Sequence, residues 1–235
     1  VEELIAEARS AGVDQMVTIG IDVASSRRSA EIADEHDVLF SVGVHPNSAA
    51  EWNSGASEVL QSLLEGPRAV AVGETGLDFY RDSCPPDVQR TAFRDHIELA
   101  RAADVALVVH TRESVSAALD ELESATPPAR VVFHCWSGSA VDLRRALDLG
   151  AYISFAGNIS FKSADDLRAM APLVPRDRLL VETDSPFLAP VPHRGRSNRP
   201  AYVADVGVAI AAAVGTDATE IASTTAGNAF TLFSR

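Results

Sequence analysis

The fold class predicted for this 235-residue chain is α/β, a (β/α)8 TIM barrel whose first strand is absent from these residues. Two observations predict the class. Short apolar runs alternate with helical patterns from end to end, which calls for parallel strands joined by crossover helices. Several of those runs also lead directly into Glu, His or Asp, and the carboxyl ends of parallel strands are where such folds build active sites. The count supplies the qualification: a closed barrel needs eight strands, and seven strand patterns are visible.

The elements follow in order. A helical pattern over Val1–Ala11 leads into a strand near Gln15–Gly20, so the chain enters the fold through a helix. Helix Ser25–Glu35 precedes strand Val38–Val44, and helix Ser57–Leu64 precedes strand Ala69–Gly73. The next pairs are Asp87–Ala102 with Ala106–Val109, Ser114–Glu123 with Arg130–Phe133, and Ala140–Leu149 with Ala151–Phe155. Helix Ser163–Ala169 and strand Leu179–Glu182 follow, then helices Ala201–Val214 and Asp217–Ala226. Ser57, Ser114 and Ser163 stand where side-chain N-caps are expected. The longest irregular stretch, Ser185–Pro200, is rich in Pro, Arg and Gly and is read as a substrate-facing loop.

Composition bounds the function. The length suits one domain over residues 1–235 with a sizeable core. No apolar stretch approaches the roughly 20 residues that span a bilayer, and no signal peptide is visible. Two cysteines, Cys84 and Cys135, make no disulfide framework and favour a reducing cytoplasm. A net charge of −13 argues against a protein that coats nucleic acid through a broad basic surface. It leaves room for an enzyme that handles a phosphodiester in a local cleft. No obligate protein partner is evident.

Four runs end on ligand-type residues: Glu74, His110, His134 and Asp184. One histidine at a strand end reads most simply as structural; two of them beside two carboxylates point to a divalent-metal site. Glu74, between Gly73 and Gly76, can bridge two ions because its two oxygens are separately available. Asp184 can hold metal and orient or deprotonate water. Glu182 is expected to face the other side of its strand, and Asp78 to stand behind the ligands. His45 ends another strand on the same rim and is assigned to substrate. His36 and His96 lie in helical patterns, facing solvent or helix packing. Arg112, Lys162, Arg194 and Arg196 are candidate phosphate contacts, and His193 sits in the long loop where it could touch substrate. Cys135, adjacent to His134 on an alternating strand, reads as a buried thiol.

Seven stretches, GVHP (Gly43–Pro46), VGETGLDFY (Val72–Tyr80), HTR (His110–Arg112), HCWSG (His134–Gly138), AYISFAGNISFK (Ala151–Lys162), LLVETDSPFLAP (Leu179–Pro190) and PHRGRSNRP (Pro192–Pro200), span nearly the whole chain. Through them the sequence resembles the TatD family of metal-dependent deoxyribonucleases, with Trp136 in place of a usual Phe. The resemblance implies hydrolysis of DNA phosphodiesters, commonly 3′–5′ exonucleolytic and on single strands, with two divalent ions (Mg²⁺, Mn²⁺ or Zn²⁺). It implies that Glu74 bridges the ions, that His110 and His134 ligate one, and that Asp184 completes the other and positions the water. His45, Arg112, Lys162, His193 and Arg194 would border the DNA. The family opens with a strand carrying a His-x-His pair that shares a metal with Asp184, and no such pair occurs in these residues. Two other readings fit the same residues: an amidohydrolase-like ester or amide hydrolase, whose bridge is often a carboxylated lysine, and a non-catalytic barrel lacking the first metal site. Lys162, the only lysine, lies past a strand and fits such a bridge poorly.

Overall fold

Seven strands pair in chain order, all parallel, in a curled sheet described here by a computed structural model of residues 1–235. They are β1 (Val17–Thr18), β2 (Leu39–Val42), β3 (Ala69–Asp78), β4 (Ala106–Arg112), β5 (Val131–Phe133), β6 (Tyr152–Phe155) and β7 (Leu179–Val181). The edge strands β1 and β7 do not pair with each other, so the barrel is open at the position an eighth strand would fill. The helices are α1 (Glu2–Ser10), α2 (Val23–His36), α3 (Ser54–Leu64), α4 (Pro86–Ala103), α5 (Val115–Ser124), α6 (Ala140–Asp148), α7 (Asp165–Met170), α8 (Val203–Val214) and α9 (Ala218–Leu232). No single helix is long and apolar enough to cross a membrane.

Strand alternation sorts the apolar side chains onto two faces. Val72, Leu107, Val109, Val131, Phe133, Ile153 and Leu179 point outward into the main core, where Leu60 of α3, Phe93 and Ile97 of α4 and Leu119 of α5 meet them. Ala71, Ala106, Val108, Val132, Tyr152 and Leu180 point to the concave face. That face is filled by Leu232, from the end of α9, with Ala229 and Phe233 packed beside it. This burial explains why α9 runs to Leu232 rather than ending at Ala226. Arg235 then bonds to the Leu64 and Gly66 carbonyls and fastens the terminus to the connection between α3 and β3.

The expected caps need correction. α3 begins at Ser54 and is capped by Asn53, whose side chain accepts from Ala56 N, so Ser57 lies inside the helix. Ser114 occupies the N-cap position of α5, but its hydroxyl donates to the Leu77 carbonyl at 2.6 Å instead. α7 is preceded by Ala164, and Ser163 makes no cap.

Strand ends also differ from expectation. β3 continues past Gly73 to Asp78 and β4 past Val109 to Arg112, so Glu74 and His110 sit within strands. The extension exists because the two strands approach closely through glycine. A Cβ on Gly73 would lie 2.4 Å from the Val108 carbonyl oxygen, and one on Gly76 2.2 Å from that of His110. Both adopt positive φ, +134° and +135°, which side-chain-bearing residues avoid.

Candidate metal centre

The register between β3 and β4 decides where Glu74 points. Val72 pairs with Leu107 and Thr75 with Val109, so β3 advances three residues while β4 advances two. One extra residue in a strand is a bulge, and it reverses the alternation beyond it. Val72 and Thr75 therefore both face outward, and Glu74 faces the concave side with His110, which follows Ala106 and Val108 on that face. Without the bulge Glu74 would project outward with Val72.

At the concave rim, nitrogens of three histidines converge on Oε1 of Glu74: His110 Nδ1 at 2.7 Å, His134 Nε2 at 2.8 Å and His45 Nε2 at 3.5 Å. His110 Nδ1 and His134 Nε2 lie 3.1 Å apart. Ligand-type atoms of His45, Glu74 and His110 all lie within 4.8 Å of one another, a spacing that can hold a metal ion. His134 stands immediately beyond β5, on the alternation of Val132.

Carboxylates stand behind two of the imidazoles. Glu182 Oε1 is 3.1 Å from His134 Nδ1, and Asp78 Oδ2 is 3.7 Å from His110 Nε2, which is buried and has no hydrogen-bond partner. A backing carboxylate holds the proton on the rear nitrogen and leaves the front nitrogen's lone pair for a cation. His45 is built differently. Its Nδ1 accepts a hydrogen bond from Asn47 N at 3.1 Å, so in the neutral ring the proton resides on Nε2, the nitrogen nearest Glu74. That tautomer makes His45 a hydrogen-bond donor toward the centre.

Glu182 corrects the sequence reading. It lies two residues beyond Leu180, which faces the concave side, and so it shares that face. β7 ends at Val181, and the Glu182 amide still bonds the Phe155 carbonyl, keeping the extended path one residue further.

The electrostatics follow from this crowding. Burial alone would raise Glu74, but the charge of His134 and hydrogen bonds from His110, His134 and His45 outweigh it and hold the carboxyl well below its usual range. His134 is also opposed by burial, yet Glu74 and Glu182 on its two sides raise it well above an ordinary histidine. Burial lowers His110, against the pull of Glu74. Asp184 is pushed up to about 7, chiefly by burial, with His134 countering and the Glu182 and Glu74 charges adding to the rise. The Cys135 thiol rises to about 12, first through burial, which disfavours the thiolate.

None of the other expected contacts hydrogen-bonds to this cluster. Arg112 is exposed, with its guanidinium 3.8 Å over the Tyr80 ring. Arg194 stacks 3.6 Å over Phe161 and donates to the Ala189 carbonyl. His193 bonds Asp205 at 3.1 Å and stacks on Tyr202. Lys162 is exposed. Phe187 and Tyr80, 68% and 59% exposed, are two large aromatics beside Asp184 and Asp78 that motif reading passed over. Asn198, buried within the Ser185–Pro200 loop, is another such residue. An uncharged amide inside a loop motif carries no ligand signal.

A family model described as TatD related DNase matches residues 1–234. The chain belongs to the TatD family. It is 39% identical to the uncharacterized metal-dependent hydrolase TatD of Mycobacterium tuberculosis, across 97% of this chain and 89% of that protein. It is 35% identical to the 3′-5′ ssDNA/RNA exonuclease TatD of Erwinia tasmaniensis, across 99% of this chain and 93% of that protein. Among solved structures, the TatD homolog YJJV of Escherichia coli K12 superposes with a TM-score of 0.94 at 28% identity, covering all of this chain and 92% of that one. This TatD chain is therefore a metal-dependent hydrolase with the fold of TatD barrels.

Proposed function

We propose that the protein is a metal-dependent exonuclease that removes nucleotides from the 3′ end of single-stranded DNA. The observation that carries the proposal is the convergence of His110 Nδ1 and His134 Nε2 on one oxygen of Glu74, each imidazole backed by a carboxylate. Two imidazoles with a carboxylate suit Zn²⁺ or Mn²⁺, and the carboxylates Glu74 and Asp184 suit Mg²⁺ or Mn²⁺. The buried, unpartnered His110 Nε2 also fits, since an imidazole that gives its front nitrogen to a cation turns its rear N–H to Asp78.

Glu74, His110 and His134 would hold one ion, the three protein ligands usual for a catalytic site. Glu74 and Asp184 would contribute to a second. Bound there, divalent ions activate water and neutralise charge on the phosphoryl oxygens. The remaining work falls to the chain's own groups. Asp184 orients the attacking water and accepts its proton. His45 donates from Nε2 to a phosphate oxygen. Arg112, Lys162, Arg194 and His193 border the strand, and the exposed rings of Phe187 and Tyr80 offer faces to bases. The relative named as an ssDNA/RNA exonuclease supports both the polarity and the single-stranded substrate.

The test is digestion of 3′- and 5′-labelled single strands by the full-length protein with Mg²⁺ or Mn²⁺, beside duplex DNA and RNA. Stepwise shortening from the 3′ end, abolished by a chelator and restored by metal, is the expected result. Hydrolysis of simple esters or amides with no attack on single strands would overturn it.

A further inference from the structure

We propose that Asn198 is a positioning residue for Asp184, acting through the backbone on both sides of that carboxylate. The proposal rests on the reading of Asp184 as a metal ligand.

Asp184 has no side-chain support of its own. Its carboxylate makes no hydrogen bond within the chain, it lies beyond the end of β7, and its backbone sits in the left-handed region at φ +58°. Its direction is therefore set by the turn that carries it. Both N–H groups of the Asn198 amide are spent on that turn, donating to the Thr183 and Phe187 carbonyls at 2.7 Å each. The Asn198 backbone N–H donates to the Pro186 carbonyl at 2.9 Å. A fourth bond, Phe187 N to the Asp184 carbonyl at 2.8 Å, closes the turn internally.

Three carbonyls within five residues thus converge on one residue, two on its side chain and one on its backbone N–H, and that residue is 4% exposed. Only an amide of this length supplies two donors in a fixed plane while its oxygen still accepts, here from Arg199 N at 2.8 Å. Arg199 bonds Glu7 of α1 at 2.6 Å, tying the next residue to the helical layer. The arrangement transmits the position of the long loop to Asp184. Groups that orient a metal ligand from behind typically contribute about 10- to 100-fold in metal affinity.

The experiment is a double-mutant cycle on Mn²⁺ binding to the full-length protein, read by titration calorimetry, with circular dichroism to confirm the fold. Asp184→Asn defines the component of Mn²⁺ binding that depends on Asp184. Asn198→Asp keeps the size and the acceptor but loses both donors, and is expected to weaken that component by about 10- to 100-fold. Should it fail to fold, Asn198→Ser carries the same comparison without a buried charge. In the Asp184→Asn background the second substitution is expected to change Mn²⁺ affinity by less than about 2-fold, because coupled positions do not add. Folded Asn198 variants with wild-type Mn²⁺ affinity overturn the positioning role, as do equal losses in both backgrounds. An Asp184→Asn protein with unchanged Mn²⁺ affinity instead removes Asp184 as a ligand, and this role falls with it.

Discussion

Oε1 of Glu182 lies 3.1 Å from Nδ1 of His134, whose Nε2 lies 2.8 Å from Glu74 on the other side. The imidazole is thus clamped between two carboxylates, one from the bulged strand β3 and one from the end of β7. Glu182 fixes the ring's tautomer and direction. Glu182→Gln keeps the volume and removes the charge, so affinity for Zn²⁺ or Mn²⁺ should fall by about 10- to 100-fold. Calorimetric titration of the purified variant decides it, and wild-type affinity would remove Glu182 from the centre's support.

Glu74 stands at the point where all three histidines meet. Glu74→Ala should therefore cut metal-dependent DNA cleavage by at least about 100-fold, beyond the cost of losing an outer partner. The fold should persist, because Glu74 faces the rim and takes no part in the apolar clusters. Near-normal turnover of a labelled single strand, with a native dichroism spectrum, would refute the bridging role.

Phe187 holds a large ring in water on a turn whose backbone is bonded at both ends. Stacking on a base contributes about 1–3 kcal/mol. Phe187→Ala should raise KM for single-stranded oligonucleotides by about 5- to 160-fold and leave kcat nearly unchanged. An abasic oligonucleotide with the same phosphates should show no such change. Equal effects on both substrates would assign the loss to the turn rather than to stacking.

His96 is fully buried in α4, where its Nε2 accepts from Val44 N at 3.0 Å and its Nδ1 lies 2.7 Å from the Ala92 carbonyl. Burial lowers it to about 4, from 6.5. In the unfolded chain the ring gains a proton near 6.5, before the folded chain does. Its contribution is complete above that pH and is lost as pH falls from 6.5 through about 4, on the order of 3 kcal/mol in all. Urea midpoints measured at pH 7.5 and 4.5 should separate less in His96→Gln than in the wild type. The same separation in both proteins would acquit His96.

Much of the fold was readable along the chain because buried parallel strands need apolar runs and crossover helices need amphipathic ones. All seven strands lie where such runs occur, and the helices follow within a few residues. The ligand-type residues Glu74, His110, His134 and Asp184 were visible because polar groups directly after an apolar run demand a partner. β1 is two residues long, where the apolar run predicts six. It is an edge strand paired on one side, so less of its run is drawn into the ladder. The C-terminal helix was cut short because its final apolar residues serve a cluster made by strands far away in sequence.

Residue type and spacing determined which groups could form the centre; they left open which way those groups face. Simple alternation sends Glu74 outward with Val72, and only the extra residue in β3, allowed by Gly73 against Val108, turns it to the histidines. Contacts between distant segments likewise decided the parts played by Glu182 and Asp78, and local turns those of His45 and Asn198. A local pattern records what a residue can do chemically. Its direction depends on strand register and on the partner behind it, and both are supplied by chain folded in from elsewhere.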